Sequence, residues 1–366
     1  MAFLLTVALR IFYCGFACVY LPFLKYVPAA VRSNDLTENL PPPAASLEYL
    51  LVGMWSRFDT LWYQRIAEHG YDLAKSVVFY PLYPLAIRLL NGFVPSPTAA
   101  ALLVASVAIF LALWGLHRLL LLDYEPTVAR RAVVLAALCP FGCVFWAGYA
   151  DGLLLGLIVW SFYWMRRGKW PTAGILAMFA ALTKAAGLLA VPVLLMLAWR
   201  SGKRTALVAP VLGVAGFALF TGWLRFQGLP TSSEVYGAHW GTATVFPLAN
   251  LAAAATATIR YGDPRMFVHW VMLFSFAGAL WFGRRRLPRE YVVYGWVALG
   301  FFLLKQRVDA PVPLESLSRY LLVIFPAYAL WAGWLSRPGL LVALVPALLL
   351  LNCLLLATFF EFELFI

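Results

Sequence analysis

Apolar runs as long as a bilayer is thick constrain this chain more than any other feature. "TAAALLVASVAIFLALWGL" (98–116) and "GLLVALVPALLLLNCLLLATFF" (339–360) carry no charge. A helix needs roughly 20 such residues to cross a membrane. Lipid offers backbone groups no partners, so a spanning element must satisfy its own, and runs of this length do so as helix. Composition agrees: 63% of the 366 residues are hydrophobic and 12% charged, with mean hydropathy +0.83. Soluble domains carry roughly 25% charged residues. The expectation is an all-α polytopic membrane protein, residues 1–366 forming a single membrane domain with no soluble one.

Apolar length and basic punctuation predict about eleven spans. They fall near 3–23, 98–120, 132–149, 152–165, 171–183, 186–199, 205–224, 267–283, 291–304, 320–336 and 339–358. Three long segments, 24–97, 225–266 and 305–319, would lie on the outer side. "WPTAGILAMFAALTKAAGLLAVPVLLMLAW" (170–199) lies between two basic clusters that belong on one side, so it must turn back. A broken hairpin with Lys184 near its tip is expected, a backbone tolerated at membrane depth only under cover of protein or a water-filled cavity. The N-terminus is expected to be an uncleaved first span, although "VPA" at 27–29 resembles a cleavage site.

The net charge of +12 is mostly a topology signal. With the N-terminus inside, the inner loops collect fourteen Arg and Lys against Asp123, Glu125 and Glu290. A nucleic-acid partner needs a basic soluble face, which is not expected here. The five cysteines lie in apolar spans, where they act as small packing residues. They lack the neighbouring ligands a metal site needs.

Against this background "SRFDTLWYQRIAEHGY" (56–71) concentrates charge. Ser56-Arg57-Phe58-Asp59 fits a capping box, in which Asp59 serves only a helix start. Alternatively, Trp55, Phe58 and Trp62 hold the carboxylate against apolar surface, where it can accept a proton. Gly70 supplies the C-terminal stop. "VVFYPLYPLAIRLL" (77–90) has the pattern of an interfacial helix. Asp151, in "WAGYADGLLLG", makes either a simple Asp-Gly turn or a functional group at membrane depth. Lys184 and Arg319 are either interface anchors or a pair of cations facing one cavity, able to hold an anionic headgroup. His239 and Trp240, in "YGAHWG", can stack on a sugar or line the bilayer edge. Zincin, Walker, Rossmann and nucleophile-elbow patterns do not occur.

These segments resemble the PIG-V-like mannosyltransferases of the GT-C superfamily, relatives of the second mannosyltransferase of GPI-anchor assembly. "WSRFDTLWYQRIAEHGY" with "VVFYPLYPLAIRLL" is similar to that family's first outer-loop signature, through Arg57, Asp59, Trp62, Tyr63, Gly70, Tyr71, Pro81 and Pro84. "CPFGCVFWAGYADGLLLGL" matches its next motif through Pro140, Phe145, Tyr149 and Asp151. "LTKAAGLLAVP", "AHWG" and "SRYLLVIFP" follow in the family's order. Phe58, Asp151, Gly152 and Lys184 stand where the family commonly has Trp, Glu, Ser and Arg.

The resemblance implies a GT-C-like bundle whose long first outer loop carries interfacial helices. It also implies sugar transfer, mannose above all, from a polyprenyl- or dolichyl-phosphate carrier to a lipid, glycan or protein hydroxyl. Asp59 would be the catalytic base. Arg57, Trp62, Tyr63, Tyr149, Asp151, Lys184, His239, Trp240, Arg319 and Tyr320 would bind substrates. Neither a metal nor another cofactor is expected. The active site would face the non-cytoplasmic side of a prokaryotic plasma membrane, or of the endoplasmic reticulum in a eukaryote. The rival classes are a transporter or lipid flippase with a charged midplane cavity, and a non-catalytic scaffold.

Overall fold

The computed structural model describes residues 1–24, 36–37, 40, 44–308, 310–335 and 337–363. The 27–29 motif lies outside them, as does part of the Pro-rich linker.

Helix α1 (Ala2–Tyr20) opens the chain, followed by a short α2 (Leu47–Leu51) capped by Ser46. Two helices of the first long segment come next, α3 (Asp59–His69) and α4 (Leu82–Asn91). The amphipathic α4 buries Tyr83 and Ile87 and exposes Leu85 and Leu89, as an interfacial helix would. The membrane bundle continues with α5 (Pro97–Leu120), α6 (Pro126–Leu138), α7 (Asp151–Arg166), α8 (Trp170–Thr183), α9 (Val191–Ser201) and α10 (Val208–Phe226). The second long segment folds as α11 (Ser232–Trp240), β1 (Thr242–Thr244) and α12 (Pro247–Tyr261). Then follow α13 (Pro264–Gly283), α14 (Arg289–Leu303), β2 (Lys305–Arg307), α15 (Leu317–Tyr320), α16 (Pro326–Trp334) and α17 (Pro338–Phe360).

The chain is an integral membrane protein. Among the described residues, five stretches are long and apolar enough to cross a bilayer as single helices: 2–23, 97–120, 204–226, 264–283 and 339–360. Other expected spans are shorter or broken. The predicted helix over 132–149 ends at Leu138, where Pro140 follows and Phe141 takes a left-handed φ of 69°. Asn352 of α17 covers this break: its Nδ2 donates to the carbonyls of Leu138 (3.0 Å) and Cys139 (3.3 Å), and its Oδ1 accepts from Cys143 N (2.9 Å). A polar side chain in an apolar helix thus satisfies backbone that lipid could not. The break at Lys184 is present as expected, with extended backbone there and a 3-10 turn over 185–190.

Small residues bring the helices close. On α5, Ala108 and Ala112 are buried, and a Cβ on Gly152 or Gly156 of α7 would lie 3.4 Å from α5 backbone at Ile109 or Ala112. Not every expected packing residue is inside: Cys139, Cys143 and Cys353 are buried, but Cys18 is exposed on α1. The all-α expectation also omits one feature. Strands β1 and β2 pair antiparallel, Thr242 with Arg307 and Thr244 with Lys305, tying the second long segment to the third.

Candidate active site

Asp59 begins α3 in an unusual local setting. The preceding residue, Phe58, is the N-cap without a side-chain cap and has φ 47°. That region is costly for a bulky residue and persists only where packing enforces it. The ring lies 5.7 Å from Phe359 and 5.4 Å from Phe362, so α17 supplies the enforcement. The capping box does not form, because Ser56 Oγ bonds instead to Thr98 Oγ1 at 2.9 Å. The Asp59 carboxylate is therefore available for other contacts. Arg319 Nη1 donates to its Oδ2 at 2.9 Å, across 260 residues of sequence.

A second pair stands beside the first. Lys184 Nζ donates to both oxygens of Asp151, at 2.9 and 2.8 Å, and Asp151 is 1% exposed. Each chain break thus delivers an ion: α7 starts at Asp151, and Lys184 occupies the extended residue after α8. The Arg319 guanidinium also sits over the rings of Tyr149 (5.0 Å) and Tyr320 (5.2 Å). Four residues singled out in the sequence, Asp59, Asp151, Lys184 and Arg319, are therefore assembled in one cluster.

Two members were absent from the expectation. Lys305 Nζ donates to Tyr320 Oη at 2.9 Å and lies 4.8 Å over the ring of Tyr236. Burial favours its neutral amine, but the neighbouring Tyr320 and Tyr236 outweigh it and hold its pKa above the ordinary lysine value. Lys305 had a signal in the sequence. It ends the apolar run "VALGFFLLK" much as Lys184 interrupts another, and ionisable residues in such positions are expensive to keep. Tyr236 carried none.

The remaining candidates divide. Tyr63 and Tyr149 are buried, and Tyr63 packs on Phe79 and Tyr83. Trp62 stacks on Phe79 at 5.5 Å and meets Trp240 edge-on at 5.8 Å, so the first and second long segments share an aromatic wall. His239 is exposed, turned away from its neighbour's wall. Arg57 is buried elsewhere, donating to the carbonyls of Phe360, Ser56 and Gly53 beneath the ring of Phe362. It secures the last helix rather than joining the ion cluster.

A cavity of about 530 Å³ opens between α3, α4, α8 and α10, lined by Ile66, Tyr71, Pro84, Leu182 and Trp223, with Arg88 as the one charged group among the described residues that line it. Leu182 lies two residues before Lys184. Among the described residues, no group of three His, Cys, Asp or Glu side chains is placed to hold a metal ion.

This architecture is that of a multi-spanning membrane protein with the GT-C fold. It aligns with ArnT from Cupriavidus metallidurans bound to undecaprenyl phosphate at a TM-score of 0.53, 13% identity, over 99% of this chain and 76% of that one. A family model described as mannosyltransferase (PIG-V) matches residues 34–201. Over that stretch the chain is similar to the PIG-V mannosyltransferases. The GPI alpha-1,6-mannosyltransferase 2 of Rattus norvegicus is 32% identical over 167 residues, covering 42% of this chain and 34% of the relative. The Homo sapiens protein of that name is 30% identical over 152 residues, 38% of this chain and 31% of its own. The aligned part of the chain thus spans about a third of the length of the curated relatives it matches.

Proposed function

We propose that the protein transfers a sugar, mannose in the first instance, from a polyprenyl- or dolichyl-phosphate carrier to a hydroxyl of a lipid, glycan or protein acceptor. The observation carrying this reading is the Asp59–Arg319 pair beside the Asp151–Lys184 pair, in a chain whose apolar cavity is lined by Leu182, two residues before Lys184. A carrier of this kind is an isoprenoid chain ending in a phosphate. The cavity suits the chain, and the cationic side of the cluster suits the phosphate.

In this reaction the acceptor hydroxyl attacks the anomeric carbon while the bond from that carbon to the phosphate oxygen breaks. The hydroxyl proton passes to Asp59, and the bonding pair leaves with polyprenyl phosphate. Arg319 engages only Oδ2 of Asp59, which leaves Oδ1 to accept from the hydroxyl. A phosphate entering the site competes with Asp59 for the Arg319 guanidinium. Arg319 then stabilises the charge that grows on the leaving phosphate. Lys184, already held by Asp151, fixes the outer edge of the site. Trp62 and Trp240 offer faces for the sugar. No metal is required, because a basic side chain already serves each carboxylate. The site opens on the non-cytoplasmic face, of a plasma membrane in a prokaryote or of the endoplasmic reticulum in a eukaryote.

The test uses purified protein, radiolabelled polyprenyl-phosphate mannose and a panel of membrane acceptors, comparing wild type with Asp59→Asn. Wild type transfers label, and the folded variant loses at least about a hundredfold in rate, the scale of a general base. Lipid scrambling or uptake that persists in Asp59→Asn, with no transfer by wild type, rejects the reading in favour of transport.

A further inference from the structure

The ion cluster has more positive than negative charge. Lys184 is matched by Asp151 and Arg319 by Asp59, but Lys305 has no carboxylate in ion-pair range among the described residues. Among the described residues its charge is met by the Tyr320 hydroxyl and by two aromatic faces, Tyr236 at 4.8 Å and Tyr320 at 5.1 Å. Such contacts offset part of an ammonium's desolvation, whereas buried charges are ordinarily paired.

The second cation stands against the same ring. The Arg319 guanidinium lies 5.2 Å from the Tyr320 ring, and its buried Nε has no hydrogen-bond partner among the described residues. Arg319 as a whole is 6% exposed. Two cations converging on one tyrosine repel each other unless an anion lies between them. The donors left over are those of an anion site: the unused N–H groups of the Lys305 ammonium, Arg319 Nε–H, and the Tyr320 hydroxyl, which accepts from Lys305 and can donate onward.

The backbone holds Lys305 in place. Asn250 Nδ2 donates to the carbonyls of both Leu303 and Lys305 at 2.9 Å, and Val245 N bonds to Leu304 O at 2.8 Å. The ribbon pairing of Lys305 with Thr244 completes the clamp. A lysine anchored this way does not need to be ordered when its ligand arrives.

We propose that Lys305, with Arg319 Nε and the Tyr320 hydroxyl, forms a phosphate-binding site in which the phosphate neutralises the positive charge of Lys305 that the two carboxylates leave uncompensated. As a site for the carrier's phosphate it rests on the sugar-transfer reading. Its chemistry is that of a phosphate, whether borne on a lipid or free.

The experiment measures binding without sugar or acceptor. Purified wild type, Lys305→Met and Lys305→Arg are titrated with undecaprenyl phosphate in detergent micelles, and separately with inorganic phosphate. Lys305→Met is expected to weaken binding about tenfold or more, and Lys305→Arg to keep most of it, in at least one arm. Loss confined to undecaprenyl phosphate identifies a lipid-borne phosphate; loss in both arms identifies a site for phosphate itself. Equal affinities of the three proteins for both probes overturn the proposal. If Lys305→Met does not fold, Tyr320→Phe takes its place, and unchanged affinity there is equally fatal. Failure of the two ideas is distinguishable. Wild type that binds phosphate through Lys305 but transfers no sugar keeps this site and loses the enzyme. Wild type that transfers sugar while Lys305→Met binds normally does the opposite.

Discussion

Asp59 and Arg319 come from opposite ends of the chain, 260 residues apart, and meet at 2.9 Å with 20% and 7% of their side chains exposed. Removing one partner of so enclosed a pair leaves the other charge stranded. Arg319→Met is expected to cost about 3 kcal/mol, measured as a lowered unfolding midpoint in detergent. Asp59→Asn/Arg319→Met should recover part of that loss, because no bare carboxylate remains. Equal stability of the single and double variants would show that the two side chains do not depend on each other.

Gly187 follows Lys184 by three residues, in the 3-10 turn after α8. A Cβ there would overlap the backbone of Ala180 and Ala181. Gly187→Ala must therefore push the turn away from α8 and carry Lys184 off Asp151. The expected loss is about 1–3 kcal/mol with a fall in transfer rate. Gly222→Ala, which meets no atom within 4 Å, is the control and should change neither. Wild-type behaviour of Gly187→Ala would mean that the turn has slack the packing does not show.

Arg57 lies within the signature around Asp59, yet its hydrogen bonds run to the carbonyls of Phe360, Ser56 and Gly53 and to the Tyr49 hydroxyl. Arg57→Gln should lower the thermal midpoint, through loss of the hold on α17, and leave KM for the lipid-phosphate sugar within about twofold, since no bond to substrate is lost. A raised KM at unchanged stability would return Arg57 to the binding surface.

On α3, Arg65 donates to Asp72 through Nε at 3.2 Å and Nη2 at 2.7 Å, and this bond lowers the Asp72 pKa below the ordinary 3.8. A carboxyl whose folded pKa is depressed adds stability that is complete above its unfolded value and disappears as the pH falls through the folded one. Asp72→Asn should therefore cost less than about 1 kcal/mol at neutral pH, as both side chains are partly solvated. The gap to wild type should close as the pH drops below 3.8. A gap that persists in acid would assign the effect to something other than the ion pair.

Much of the site's membership was legible in the sequence, but not its wiring. Ionisable residues are so costly in apolar sequence that Asp151, Lys184 and Arg319 stood out at once. Their sequence context, however, could not tell an anchor from a partner. The capping-box pattern at Ser56–Asp59 pointed to a local role that the structure does not use, because Thr98 on α5 competes for the serine. Arg57 and His239 lay beside Asp59 and Trp240 in sequence and were expected to act with them. Successive side chains on a helix or turn leave it in different directions, so neighbours in sequence need not share a site.

The sequence by itself determined that this chain lives in a membrane as helices and where proline, glycine and charge interrupt them. Hydrophobic length and backbone conformation are local properties, satisfied or violated within a few turns. Only the tertiary structure decided that Asp59 answers Arg319, that Asp151 answers Lys184, and that Lys305 has no carboxylate partner among the described residues. Charge pairing depends on distance in space, and here α17, the ribbon and the broken helices set those distances from hundreds of residues away.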